Sequence, residues 1–260
     1  MEKKEKIILE VIDLHKKYHK SDKAAIDKIN FKIAEGEFHV FIGANGAGKT
    51  TTIKALVGAY KKWDGQIKVY GQDIWKFEAK RHIGYIPEHA VFPREFTTKD
   101  YLVSMGILSG LSKKDATKYC IEKLEELNMQ NMINKKPYTF SSGQKKKILL
   151  AQALIIEPSL LIMDEPAANL DPLARHELFE ILLKLKSEGK SIFIASHILA
   201  EVEQYTDAVT ILDGGKIVYT GKYDKSKSLT DLYIEKVKLG SVDSGTSKSK
   251  KKELEDMIII

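Results

Sequence analysis

The chain has 260 residues, 43% hydrophobic and 30% charged, enough to bury a sizeable core in one large domain or two small ones. A formal net charge of +6 could suit nucleic acid or an anionic membrane surface, but the lysine runs are short (Lys16-Lys17, Lys145-Lys146-Lys147, Lys250-Lys251-Lys252), so a solvated lysine-rich surface is expected and no nucleic-acid partner. The one cysteine, Cys120, excludes an intramolecular disulfide and a Cys-x-x-Cys metal pair, and no segment approaches the ~18 apolar residues of a membrane span.

In chain order, Ile7 to Leu14 and Ile26 to Ile33 suit strands, the second followed by the turn Ala34-Glu35-Gly36-Glu37. Phe38 to Ile42 is an apolar strand, and Thr51 to Val57 reads as the start of a helix. Gly65 to Gly71 is a short strand ending in glycine, and Ile83 to Pro87 a strand closed by proline. From Thr98 to Ala153 the pattern turns mostly helical, in runs at Tyr101–Leu108, Asp115–Leu127 and Gln144–Leu154. Cys120 falls near helical spacing with Leu124 and Leu127, which suggests a structural thiol. Leu160 to Met163 and Ser191 to Ala195 are buried-type strands, separated by a helix from Pro172 to about Lys186. Val209–Leu212 and Lys216–Tyr219 form a hairpin across Asp213-Gly214-Gly215. Periodicity fades after about Lys222, and residues 240–247 are linker-like. The charged residues 1–6 lack a signal-peptide core, so a soluble chain is expected, and any membrane role would have to come through a partner.

The octet Gly43-Ala44-Asn45-Gly46-Ala47-Gly48-Lys49-Thr50 fits G-x-x-x-x-G-K-[ST], between a strand and a helix as that motif requires. Backbone N–H groups there line one concavity, and the helix N-terminus adds about half a positive charge. Lys49 can reach β- and γ-phosphates, the Thr50 hydroxyl can hold Mg²⁺, and Thr51 completes the phosphate-binding set. The competing explanation is a glycine-rich turn that matches by accident. Leu160-Leu161-Ile162-Met163-Asp164 then supplies an apolar strand ending in an acid, the Walker B pattern. Asp164 would bind Mg²⁺, directly or through water, and Glu165 would orient the attacking water or accept its proton. A core strand followed by an acidic turn would look the same in isolation. The fold expected is α/β, a P-loop NTPase core with a mostly parallel sheet, a small antiparallel β subdomain and an all-helical insert subdomain at about residues 89–158. The domain would cover residues 1–222, and 223–260 would be a largely disordered tail.

At Phe140-Ser141-Ser142-Gly143-Gln144 the chain resembles the ATP-binding cassette family, the nucleotide-binding subunits of ABC transporters. Ser141, Gly143 and Gln144 match its usual Leu-Ser-Gly-Gly-Gln signature; Phe140 and Ser142 depart from it. A serine N-cap explains the same residues, and both readings hold together because a capped helix start is itself an anion site. The resemblance spans about residues 7–222. It implies Tyr18 stacking on adenine, Ala168-Asn169-Leu170-Asp171 as the interface D-loop, and His197 as the switch histidine at the γ-phosphate. Glu88 stands where the family has the Q-loop glutamine, similar to a subset of mainly export cassettes. It is open whether Glu88 contacts Mg²⁺, serves only in a coupling loop, or is a plain surface glutamate.

The resemblance also implies ATP and Mg²⁺ as cofactors and ATP hydrolysis coupled to transport. The implied partners are a membrane permease subunit and a second cassette, identical or different, joined head to tail at the cytoplasmic face of the cell membrane. The alternative is a soluble cassette-type ATPase outside transport. A third reading, ATP binding without turnover, is disfavoured by the presence of both Glu165 and His197.

Overall fold

The computed structural model describes residues 5–19, 21–89 and 91–242. The chain begins with β1 (Ile7–Lys17), β2 (Ala24–Ala34), β3 (Phe38–Ile42), α1 (Lys49–Leu56), β4 (Asp64–Val69), β5 (Gln72–Asp73) and α2 (Phe77–Lys80). There follow β6 (Ile83–Ile86), α3 (Thr98–Leu108), α4 (Lys113–Glu126), α5 (Ser142–Leu154), β7 (Leu160–Asp164) and α6 (Pro172–Ser187). The chain continues with β8 (Ser191–Ser196), α7 (Leu199–Val202), β9 (Ala208–Asp213), β10 (Lys216–Lys222) and α8 (Leu229–Val242). These elements fall into two units, Met1–Lys80 with Ser191–Ile260, and Arg81–Lys190.

In the first unit, β2-β1-β4-β5 form an antiparallel sheet. A second set runs β10-β9-β3-β8, with β3 parallel to both β8 and β9 and β10 antiparallel to β9. Every residue of β3 and β8 is buried. That is why both read as continuous apolar runs rather than alternating ones. Phe31, Phe41 and Phe193 meet in the core, with ring centroids 5.5–6.0 Å apart. His39 lies among them, and its ring nitrogens contact Glu37 at 2.5 Å and Thr210 at 2.8 Å. In the antiparallel sheet, Asp13 and Lys28 take positive φ (48° and 49°) at breaks in the β1–β2 register. The Asn30 amide holds this break, accepting from Asp13 N and donating to Asp13 Oδ1, each at 2.9 Å.

In the second unit, β6 and β7 pair in parallel and α5 packs on β6. Thr97 and Asp100 close a capping box on α3, and Ser112 caps α4. Cys120 is buried on α4, and burial pushes its thiol up to about 11. Such a thiol is inert near neutral pH, in line with the structural role expected for it.

Two boundaries differ from the sequence reading. The helices of the expected insert are present as α3, α4 and α5, but the unit runs from Arg81 to Lys190 and also takes in β6, β7 and α6. The expected tail from residue 223 instead builds α8, whose Leu229, Leu232, Tyr233 and Val237 are buried. Residues 243–260 lie outside the described part.

Candidate functional site

In the first unit, β3 ends at Ile42 and α1 begins at Lys49, so the six residues Gly43 to Gly48 form the connecting loop. The loop is held from behind by the β9–β10 turn. Gly215 N donates to Ala47 O at 3.0 Å, and Gly215 O accepts from Asp27 N at 2.8 Å. This packing dictates the glycines. A Cβ at Gly43 would stand 2.4 Å from Leu212 O, and one at Gly48 (φ +111°) 2.5 Å from Ala25 O. Ala44 and Ala47 are buried, while Asn45, Gly46 and Thr50 are exposed. Lys49 is only 6% exposed, and its ammonium donates to Gly43 O at 2.7 Å and Ala44 O at 3.3 Å. The cation therefore lies within the curve of the loop, at the start of α1, where the helix dipole also favours an anion.

Tyr18 follows β1 and is 41% exposed. Its hydroxyl contacts Thr51 Oγ1 at 3.2 Å and the Tyr60 hydroxyl at 2.6 Å. The Tyr18 and Tyr60 rings meet edge to face, 6.1 Å apart. Lys16 lies over both rings, and its Nζ donates to Lys62 O at 2.6 Å. Tyr18 is thus fixed at the first turn of α1, with an exposed aromatic surface. His197 directly follows β8. Register pairs Ile42 with Ser196, so the loop and His197 emerge at the same edge of the parallel strands. That edge is where open α/β sheets bind ligands.

In the second unit, Asp164 ends β7 and is 2% exposed. Burial, and then the charge of Asp164, push the Tyr85 hydroxyl up to about 12. Glu165 has φ +45°, a left-handed conformation rare for a residue with a side chain, and Ala168 N donates to its carbonyl at 3.2 Å. Strain of that kind concentrates at functional positions. Asn169 (φ +61°) and Leu170 continue the turn, and Asp171 caps α6 by accepting from Ala174 N at 3.0 Å. At the other motif, Ser141 caps α5. Its Oγ accepts from Gln144 N at 3.3 Å, and Gln144 Oε1 accepts from Ser141 N at 3.1 Å. A Cβ at Gly143 would meet the Ala174 Cβ at 3.0 Å, so this glycine also allows α6 to approach α5. Glu88, in the segment after β6, is half-exposed and pairs with the His89 ring at 3.4 Å.

The structure thus gathers residues 43–51, Tyr18 and His197 in one unit, and Asp164, Glu165, Glu88 and Ser141–Gln144 in the other. Two contributors escaped the sequence reading. Tyr60 carried no signal, since its pairing with Tyr18 depends on where α1 ends. Lys146 did carry one, because it shares a helical face with Leu149, Leu150 and Ala153. Lys146 is buried, and its Nζ donates to Pro87 O at 3.2 Å and Glu88 O at 3.0 Å. Burial pushes its ammonium down to about 8, while the Glu88 and Asp164 carboxylates pull it the other way.

The ABC transporter family model matches residues 26–168. The chain is 46% identical over 217 residues to a putative ABC transporter ATP-binding protein of Mycoplasma pneumoniae, covering 83% of this chain and 67% of that relative. It is 36% identical to a bacitracin transport ATP-binding protein of Bacillus licheniformis, covering 88% of this chain and 74% of that one. A solved ATP-binding subunit of an ABC transporter superposes with a TM-score of 0.78 at 33% identity, over 88% of this chain and 99% of the other. The chain therefore belongs to the ABC transporter family as an ATP-binding, ATP-hydrolysing subunit.

Proposed function

We propose that this subunit works as one of a pair of cassettes at the cytoplasmic face of the cell membrane, hydrolysing Mg·ATP to drive a separate permease. The observation that carries the reading is the braced loop before α1, with buried Lys49 at its centre. No helix among the described residues is long and apolar enough to cross a membrane. The membrane passage is accordingly assigned to a partner chain.

Roles follow residue by residue. The N–H groups of Gly43 to Thr51 and the Lys49 ammonium bind the phosphates. Tyr18 offers its ring to the adenine. Thr50 and Asp164 are hard oxygen donors, and Mg²⁺ suits one or two such ligands completed by phosphate and water. Bound there, the metal would neutralise charge on the phosphates. Glu165 accepts the proton of the attacking water, and His197 contacts the γ-phosphate. Ser141, Gly143 and Gln144 serve the ATP of the second cassette, as a capped helix start can. Glu88 sits in the loop that couples to the permease.

The test is isolation of the chain from its native membranes with crosslinking to bound partners, together with ATPase assay of the purified subunit. Recovery only as a soluble protein without a membrane partner would remove the transport role. Bacitracin, named for one relative, is the first compound to test as cargo.

A further inference from the structure

Lys146 lies on the buried face of α5, one turn beyond the capping box formed by Ser141 and Gln144. It is 5% exposed. A buried ammonium is tolerated only when hydrogen-bonded and balanced by opposite charge. The hydrogen bonds run to backbone, to Pro87 O at 3.2 Å and Glu88 O at 3.0 Å. The Glu88 and Asp164 carboxylates act on its charge, against the larger effect of burial. Its neighbour Lys147 is committed elsewhere, to Glu177 at 2.8 Å.

We propose that Lys146 is the internal counter-cation that permits a glutamate at position 88, and that it tethers the Glu88 segment to the helix carrying Ser141, Gly143 and Gln144. It acts as a positioning residue, through Glu88 and Asp164. The proposal rests on the functional reading above, in which Asp164 serves the metal of Mg·ATP. Without the cation, the two carboxylates would stand in this unit with no lysine to balance them. With it, the net charge beside Asp164 is what a neutral residue at 88 and no lysine would give. The tether runs through backbone carbonyls, so it does not depend on the side chain at 88. The electrostatic balance does.

This separation gives the test. Binding of trinitrophenyl-ATP to the full-length chain is measured with Mg²⁺ and with EDTA, and the ratio of the two affinities is taken. Lys146→Gln keeps a donor but loses the charge. It should weaken metal-free binding most and raise the ratio about threefold to tenfold. Glu88→Gln should lower the ratio, and the double variant should return within about twofold of wild type. A merely structural lysine would change both affinities alike. An unchanged ratio in Lys146→Gln, or the same shift whichever residue occupies 88, overturns the proposal. If Lys146→Gln does not fold, the double variant must fold and bind; failure of both also overturns it. A wild-type chain with no Mg²⁺ enhancement would instead overturn the functional reading, and this proposal with it.

Discussion

Ile42 of β3 pairs with Ser196 of β8, so Gly43 and His197 leave the sheet from the same rung. A one-residue slip would turn every side chain of either strand to the opposite face and break the ring packing of Phe41 and Phe193 with Phe31. The positions of the phosphate loop and of the histidine are therefore set by core packing, before either meets a ligand. The β9–β10 turn adds a third constraint through Gly215, which bonds to Ala47 and Asp27. A site fixed in this way holds its N–H donors ready and loses little entropy when ATP binds.

Lys49→Ala should abolish or strongly weaken ATP binding while leaving the protein folded. The ammonium donates to Gly43 O and Ala44 O, and a charge-assisted contact to phosphate is worth about 1.5–3 kcal/mol. That corresponds to a loss of about tenfold to a hundredfold in affinity. Titration calorimetry beside a thermal melt measures both quantities. Near-normal affinity in a folded variant would contradict the role given to Lys49.

Glu165→Gln should bind ATP, lose turnover by about a hundredfold to ten-thousandfold, and accumulate as a dimer with Mg·ATP. The amide keeps the shape of the side chain, including its place on the strained φ +45° backbone, but cannot accept the proton. Gel filtration and phosphate release report the two effects separately. Full hydrolysis by the variant would move the catalytic base elsewhere.

Tyr60→Phe should raise the KM for ATP about twofold to tenfold and leave kcat unchanged, because one neutral hydrogen bond is worth about 0.5–1.5 kcal/mol. The hydroxyl removed is the one 2.6 Å from Tyr18, so the ring offered to adenine loses its restraint. Tyr18→Ala should cost more in KM, since it removes the stacking surface itself. Steady-state kinetics across ATP concentrations decide this. A fall in kcat without a change in KM would detach the tyrosine pair from nucleotide binding.

Much of this architecture was legible in the sequence because its determinants are local. The glycines and lysine of residues 43–50 answer to the backbone path of one loop, and the apolar runs of β3, β7 and β8 to burial on both faces. What was not legible depends on partners distant in sequence. Tyr60 matters because it meets Tyr18 from 42 residues away, and Lys146 because it reaches carbonyls 58 and 59 residues upstream. The run Lys145-Lys146-Lys147 looked like solvated surface, yet helical spacing places its middle member with the core. The start of the second unit at Arg81 carries no local mark in the sequence, because β6 has its own strand pattern while pairing with β7, which is far along the chain.

The helix α8 was missed for a different reason, and it gives the last prediction. Leu229, Leu232, Tyr233 and Val237 recur at helical spacing, and Ser228 precedes them as a cap. The serine- and lysine-rich segment beyond obscured that short pattern. In the structure, Ser228 Oγ accepts from Thr230 N at 3.1 Å and Asp231 N at 3.4 Å. Glu203 ties the helix start to the body of its unit, with Oε1 accepting from Leu229 N at 2.9 Å and from the Tyr223 hydroxyl at 2.7 Å. All four apolar side chains are buried, and each such burial is worth about 1.5–3 kcal/mol. Truncation after Ser228 should therefore lower the thermal midpoint sharply and expose apolar surface, a loss comparable with the whole stability of an ordinary domain. Tyr233→Ala should reproduce part of this, about 3–5 kcal/mol, without removing any chain. Chemical denaturation of the two variants beside wild type measures the effect. An unchanged midpoint in both would show that α8 packs without stabilising, and that the expected boundary near residue 222 was right for folding.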